Sequence, residues 1–226
     1  MPTVVNSYRL ISNFGASPRS VTINPVASGN TLIVSFNVAD ANQGAGVSAT
    51  DNQGNTYTQD LTFVGTNLDN DQYIFRASNI TNAPTSVSCV FGASNTIITF
   101  DILEVSGLDN ASPVDATVAD TTSSFTTTPS KSITANTANC LIFAILSLSN
   151  STTFTADAGY SQLPDTATSD FGFFVWDNDA GAAGSKTVSG TLSSATNCRW
   201  GVVAYEAAAS STAAKPAMHY ARLRTA

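Results

Sequence analysis

The chain has 226 residues, 42% of them hydrophobic and only 11% charged, where an ordinary soluble domain carries about 25% charged residues. That length buries a substantial core even in a single all-β domain, and solubility must then rest on Ser, Thr, Asn and Gln, a surface suited to extracellular or virion proteins. No acid follows Glu206 while Lys215, Arg222 and Arg224 do, so the formal −7 becomes −10 for the body once those three positives are set aside, a balance that argues against nucleic acid as a partner.

In chain order, the opening MPTVVNSYRLISNF lacks a basic region followed by an apolar one, so no secretory signal is expected. NTLIVSFNVA (30–39) then places Leu32, Val34, Phe36 and Val38 on one face, the period of two that marks a half-buried strand. GVSAT, NTYTQDLTFV, QYIFRAS, TSVSCVF and TIITFDILEV follow, separated by Asn, Gly, Asp and Pro, a beat of short strands and turns that predicts a sandwich or barrel. The connecting stretch DNASPVDATVADTTSSFTTTPSKS keeps β-branched residues and lacks the character of a flexible linker.

The order then repeats. NTLIVSF is echoed by NCLIFAI (139–145), QYIFRAS by FGFFVWD (171–177), TSVSCVF by KTVSGTL (186–192), and NTIITFDILEV by NCRWGVVAYEA (197–207). Two β units of about 100 residues are therefore expected, 1–107 and 108–208, packed closely together, followed by an Ala/Ser-rich connector and basic tail at 209–226. The expected class is all-β, an antiparallel sandwich of jelly-roll or immunoglobulin-like type, because antiparallel strands need only short connections. The longest apolar run, Cys140 to Leu146, falls far short of the roughly 20 residues that span a bilayer, so no membrane association is expected. Cys89, Cys140 and Cys198 all lie in apolar strand patterns without metal-ligand spacing and read as buried thiols.

Two stretches invite a functional reading. DNQGNTY (51–57) is rich in oxygen ligands, but its echo TADAGYSQ (155–162) loses Asn52 and Asn55, and neither follows the calcium-loop frame. Asp, Asn and Gly also suit left-handed backbone in hairpin loops, so a turn is expected. The strand FGFFVW is apolar on both faces, with Phe171, Phe173 and Val175 on one side and Phe174 and Trp176 on the other. Arg76 holds the position of Trp176 in the first unit, which suits an exposed face. Either the first unit covers Phe174 and Trp176, or a partner protein does, or Trp176 serves as a platform for a sugar. Phe174 and Trp176, with Lys215, His219, Arg222 and Arg224 of the tail, are the candidate partner-binding residues.

Catalytic groups are scarce. The only histidine, His219, lies in the tail, which leaves no preorganised Ser-His-Asp, Cys-His or histidine zinc site. The only glutamates, Glu104 and Glu206, end the last strand of each unit. They invite comparison with a glycosidase pair, but such positions follow from duplication, and each is expected to pair with an Arg such as Arg76 or Arg199 or to face water. No phosphate-cradling glycine motif is present and no cofactor or metal is expected.

TDNQGNTYT followed some forty residues later by DILEVSGLDNASPVDAT resembles a recurrent β-sandwich module of uncharacterised bacterial surface and bacteriophage proteins, with a D-x-x-G-N-T-Y hairpin before an E-x-S-G-L-D-x-x-S-P-x-D segment. The resemblance covers residues 20–207. It implies the fold and transfers no catalytic residue. The expectation is a non-enzymatic structural protein of a virus particle, a bacteriophage capsid decoration or head-fibre component assembled in the host cytoplasm as a homo-oligomer on the major capsid protein or neighbouring subunits. The alternatives are a carbohydrate-binding module or adhesin holding a glycan, and the subunit of a bacterial surface filament or layer.

Overall fold

The computed structural model describes residues 1–12, 17–39, 46–64, 71–91, 97–163, 172–177 and 181–209. The first part of the chain forms β1 (Thr3–Ser12), β2 (Arg19–Thr22), β3 (Thr31–Ala39), β4 (Ser48–Asp51), β5 (Thr58–Phe63), β6 (Asp71–Ala77), β7 (Ser86–Val90) and β8 (Ile97–Ser106). The second part forms β9 (Val114–Ala119), β10 (Ser124–Thr126), β11 (Ser130–Ala135), β12 (Leu141–Leu148), β13 (Phe154–Ala156), β14 (Ser161–Gln162), β15 (Gly172–Asp177), β16 (Gly184–Leu192) and β17 (Thr196–Tyr205). No helix occurs among the described residues, so the class is all-β.

Each part winds the same way. The first builds a large sheet in the order β1-β8-β3-β6-β5 and a small one in the order β2-β7-β4. The second repeats this with β17-β12-β15-β14, flanked at β17 by β9 and β10, and with β11-β16-β13. Every pair is antiparallel. An order of 1-8-3-6 facing 2-7-4 is the jelly-roll winding, with the fifth strand attached to the large sheet beside the sixth. Only β10 lacks a counterpart in the first part among the described residues.

Three apolar layers result. Leu32, Val34, Phe36 and Val38 of β3 fill the space between the first large and small sheets with Phe75, Phe100, Val87 and Cys89. Ile142, Ala144 and Leu146 of β12 do the same in the second unit with Phe154, Phe173, Val175 and Trp200. The two large sheets then lie back to back. Ile33, Leu61, Ile74, Leu103 and Val105 of the first pack against Leu141, Phe143, Ile145, Phe174, Val203 and Tyr205 of the second. Both faces of the central strands are thus dry, which is why CLIFAIL reads as an uninterrupted apolar run rather than an alternation.

This middle layer corrects two sequence expectations. Phe174 is fully buried beneath the first unit, tilted against Phe143 at 5.6 Å between ring centroids, so it is not a docking residue. Arg76 does not present an exposed face either. Its guanidinium grips Asp60 from Nε at 2.9 Å and from Nη2 at 3.0 Å, and the Tyr205 hydroxyl of the other unit donates to the same carboxylate at 2.9 Å. Burial, reinforced by Asp60, drives the Tyr205 phenol far above its ordinary range and keeps it neutral as a donor.

A second ion pair, within the first unit, faces the layer. Arg9 on β1 donates from Nε to Asp101 at 2.8 Å, and its guanidinium lies over the rings of Phe173 and Phe174 of the other unit at 5.7 and 5.4 Å. The close fit requires Gly172, where a Cβ would meet the Asn37 side chain at 2.1 Å. Buried pairs like these add little net stability but penalise every register that breaks them.

Truncating Phe143 to Ala removes a ring from the centre of the layer and should lower unfolding free energy by about 3–5 kcal/mol, read from urea denaturation. Burial lifts the Asp101 carboxyl from its ordinary 3.8 to about 6, against the opposing pull of Arg9. The folded chain therefore holds this proton where the unfolded chain has released it, and the contribution is full below 3.8 and lost as pH rises to about 6. Urea midpoints across that window should show wild type losing stability relative to Asp101→Asn.

Candidate functional site

The DNQGNTY segment turns the chain from β4 of the small sheet to β5 of the large sheet around the Asp51 carboxylate, so it is a turn between sheets and not a hairpin loop. Its Oδ1 accepts from the backbone amides of Gln53 at 2.9 Å and Asn55 at 3.2 Å, and its Oδ2 from Asn55 Nδ2 at 2.9 Å and the Tyr57 hydroxyl at 3.2 Å. Gly54, at φ +75°, supplies the left-handed residue that the turn needs. Asn52 ties the loop to the start of β7, its Oδ1 accepting from the amides of Thr85 at 3.0 Å and Ser86 at 3.2 Å. The oxygens that resembled a cation shell are spent on the turn itself. In the second unit Asp157 instead accepts a hydrogen bond from the Ser189 hydroxyl, and Gln162 secures the turn by bonding the Ala156 amide and the Phe154 carbonyl.

Glu104 is also a joint. It is 2% exposed, and its carboxylate accepts from Asn6 Nδ2 at 2.6 Å, Asn30 Nδ2 at 2.7 Å and the Ala27 amide at 3.0 Å. The expected arginine partners are engaged elsewhere: Arg76 with Asp60, and Arg199 over the Phe63 ring at 4.6 Å. Glu206 is half-buried and joins its backbone to Pro113 and Asp109. The residues of the SGLDNASPVD segment link the units. Leu108 is buried in the middle layer, Asp109 accepts from the Ala111 and Ser112 amides, and Asp115 accepts from the Asn136 and Thr137 amides. The two amides at Asp109, that of Ser112 foremost, hold its carboxyl below the usual range. Gly107 cannot carry a side chain, since at φ +75° its Cβ would meet the Met1 carbonyl oxygen at 2.8 Å.

Of the candidate partner-binding residues, Trp176 is half-buried at the margin of the middle layer, stacked on Phe174 at 5.4 Å. Lys215, His219, Arg222 and Arg224 lie outside the described residues. Cys89, Cys140 and Cys198 are buried free thiols, and burial raises the pKa of each. Among the described residues no group of three or more His, Cys, Asp or Glu side chains is arranged to hold a metal.

The feature the sequence did not announce is a cleft of about 230 Å³ at the β10 edge of the second unit, lined by Asp120, Ser124, Thr126, Thr128, Pro129, Ser130, Cys198 and Trp200. Asp120 is its one charged lining residue. One carboxylate oxygen holds Lys131 Nζ at 2.6 Å, and the other accepts the Trp200 backbone amide at 2.8 Å. Trp200 is 1% exposed, set edge-on against Phe154, and its indole Nε1 is buried with no hydrogen-bond partner. Phe125, at 71%, is the most exposed aromatic on the described surface, but strand alternation turns it to the opposite side of β10 from Ser124 and Thr126.

The first unit shows what this position looks like without a cleft. Tyr8 faces Ile102 across the first ladder as Val118 faces Val202 across the second, and two residues further on Leu10 faces Phe100 where Asp120 faces Trp200. On the small sheets Val21 lies across from Val87 as Lys131 lies across from Val188. Leu10, Val21 and Phe100 belong to an apolar core. Their equivalents are Asp120, Lys131 and Trp200.

Asp51→Ala should cost about 1–3 kcal/mol by leaving buried or half-buried donors unmatched, while added calcium should leave the melting temperature of wild type unchanged. A calcium-dependent rise in thermal melts would reassign the loop as a cation site. The chain matches no protein-family model, and neither curated proteins nor solved structures give a significant match to it.

Proposed function

We propose that this chain is a non-enzymatic structural component of a bacteriophage particle, a capsid decoration or head-fibre protein. The observation that carries the reading is the union of two jelly-roll units through a continuous buried layer, in which charged and amide side chains such as Glu104, Asp51, Asp60 and Asp101 are consumed by joints rather than gathered in a catalytic cleft. Such a body buries one apolar layer between its two units. It adds contact area to a shell and stabilises it by binding the assembled state. The segment carrying Lys215, Arg222 and Arg224 supplies a basic strip for an acidic neighbouring subunit, in contrast to a body of the opposite sign.

The resemblance of TDNQGNTYT and DILEVSGLDNASPVDAT to bacteriophage and bacterial surface modules supports this reading over an intracellular binding protein, and the Asn, Ser and Thr surface agrees with it. The cleft at β10 favours glycan recognition as a second property of the same chain. Mass spectrometry of gradient-purified particles should find the chain as a stoichiometric component. Particles that lack it while the chain persists in the host lysate would end the proposal.

A further inference from the structure

We propose that the β10 cleft is a binding site for a single neutral sugar residue. The site is built from hydroxyl groups. Ser124, Thr126, Thr128 and Ser130 line it, and its one charged lining residue, Asp120, is neutralised by the Lys131 ammonium at 2.6 Å. A lining of hydroxyl donors and acceptors around a paired carboxylate matches a ring carrying several hydroxyls. It discriminates against anions, because the charged side chain that lines it is a carboxylate.

Trp200 adds the second observation. An indole N–H buried without a partner costs about 1–3 kcal/mol, and the position two steps along from Val202 needs no such group, because Phe100 serves there in the first unit. In the second unit Trp200 lines the cleft beside Asp120, whose oxygens keep lone pairs for a ligand hydroxyl. Apolar residues fill the equivalent space in the first unit, so the polarity of the cleft is not required by the fold.

Size fixes the class. About 230 Å³ lies below the roughly 300 Å³ at which pockets for drug-sized ligands begin, which suits one ring at the end of a glycan and not an extended oligosaccharide. The site does not rest on the virion reading. A sugar-binding cleft serves a decoration protein, an adhesin or a surface-layer subunit alike, and it is tested on the purified chain.

The test uses saturation-transfer NMR with the methyl glycosides of glucose, galactose, mannose and N-acetylglucosamine, and with N-acetylneuraminic acid as the anionic comparison. Trp200 fluorescence is followed in a Trp176→Phe background, where it is the only indole. At least one neutral glycoside should bind in the millimolar range and shift the Trp200 emission. Thr128→Trp, a change at an exposed loop residue, should fill the cleft and abolish binding. Binding by none of the neutral glycosides, binding unaltered by Thr128→Trp, or binding of the anionic sugar alone would overturn the proposal.

Discussion

The back-to-back contact between the two large sheets is the constraint on which the rest of this protein depends. A sheet in an ordinary two-layer sandwich has one face in water and alternates accordingly. Here β3, β6, β12, β15 and β17 are covered on both faces, so most positions along them are apolar. Several polar side chains that enter make contacts across the layer: Tyr205 on Asp60 beside Arg76, Gln72 on the Arg199 carbonyl, and the Arg9 guanidinium, paired with Asp101 of its own unit, over two phenylalanine rings of the other. Apolar packing supplies most of the free energy, and the bonded polar groups select one alignment among those that greasy surfaces would otherwise tolerate.

With alignment fixed in this way, the two units are free to differ in their outer sandwiches. The first fills its β1, β2 and β8 corner with Leu10, Val21 and Phe100, and the second opens the same corner around Asp120, Lys131 and Trp200. A charged pair at this position forfeits hydrophobic burial of roughly 25 cal/mol per Å². The middle layer and the remaining core of the second unit carry that loss, so a polar cleft persists in one unit while the winding of both stays the same. Loops around the body follow a similar economy: Asp51, Asp109 and Asp115 each satisfy neighbouring backbone amides and leave little capacity for ligands.

Side-chain alternation and turn chemistry carry much of this in the sequence. Period-two patterns in NTLIVSFNVA, the Asp-Asn-Gly punctuation and the echo of four strand motifs are local properties, and they require an all-β fold with a repeated plan. The doubly apolar strand FGFFVW likewise signals a second covered face. Yet the residue-by-residue echo of NTLIVSF in NCLIFAI sets Leu32 beside Leu141, and these face different layers: Leu32 points into its own sandwich and Leu141 into the contact between units. A slip of one residue inverts every side chain of a strand, and sequence similarity between hydrophobic runs is blind to it.

By itself, then, the sequence determined the alternating and apolar strands from β3 onward, the duplication and the character of the Asp51 turn, because each depends on neighbours along the chain, whereas β1 and β2 were not legible in it. Only the tertiary structure decided that the units meet through their large sheets, that Phe174 is interior, that Glu104 binds Asn6, Asn30 and the Ala27 amide instead of an arginine, and that Asp120, held by Lys131, lines one cleft with Trp200. The hydrogen bonds among them join residues from 11 to 98 positions apart. Pairings at such separations are set by which buried groups find partners across layers, a condition that no stretch of sequence contains.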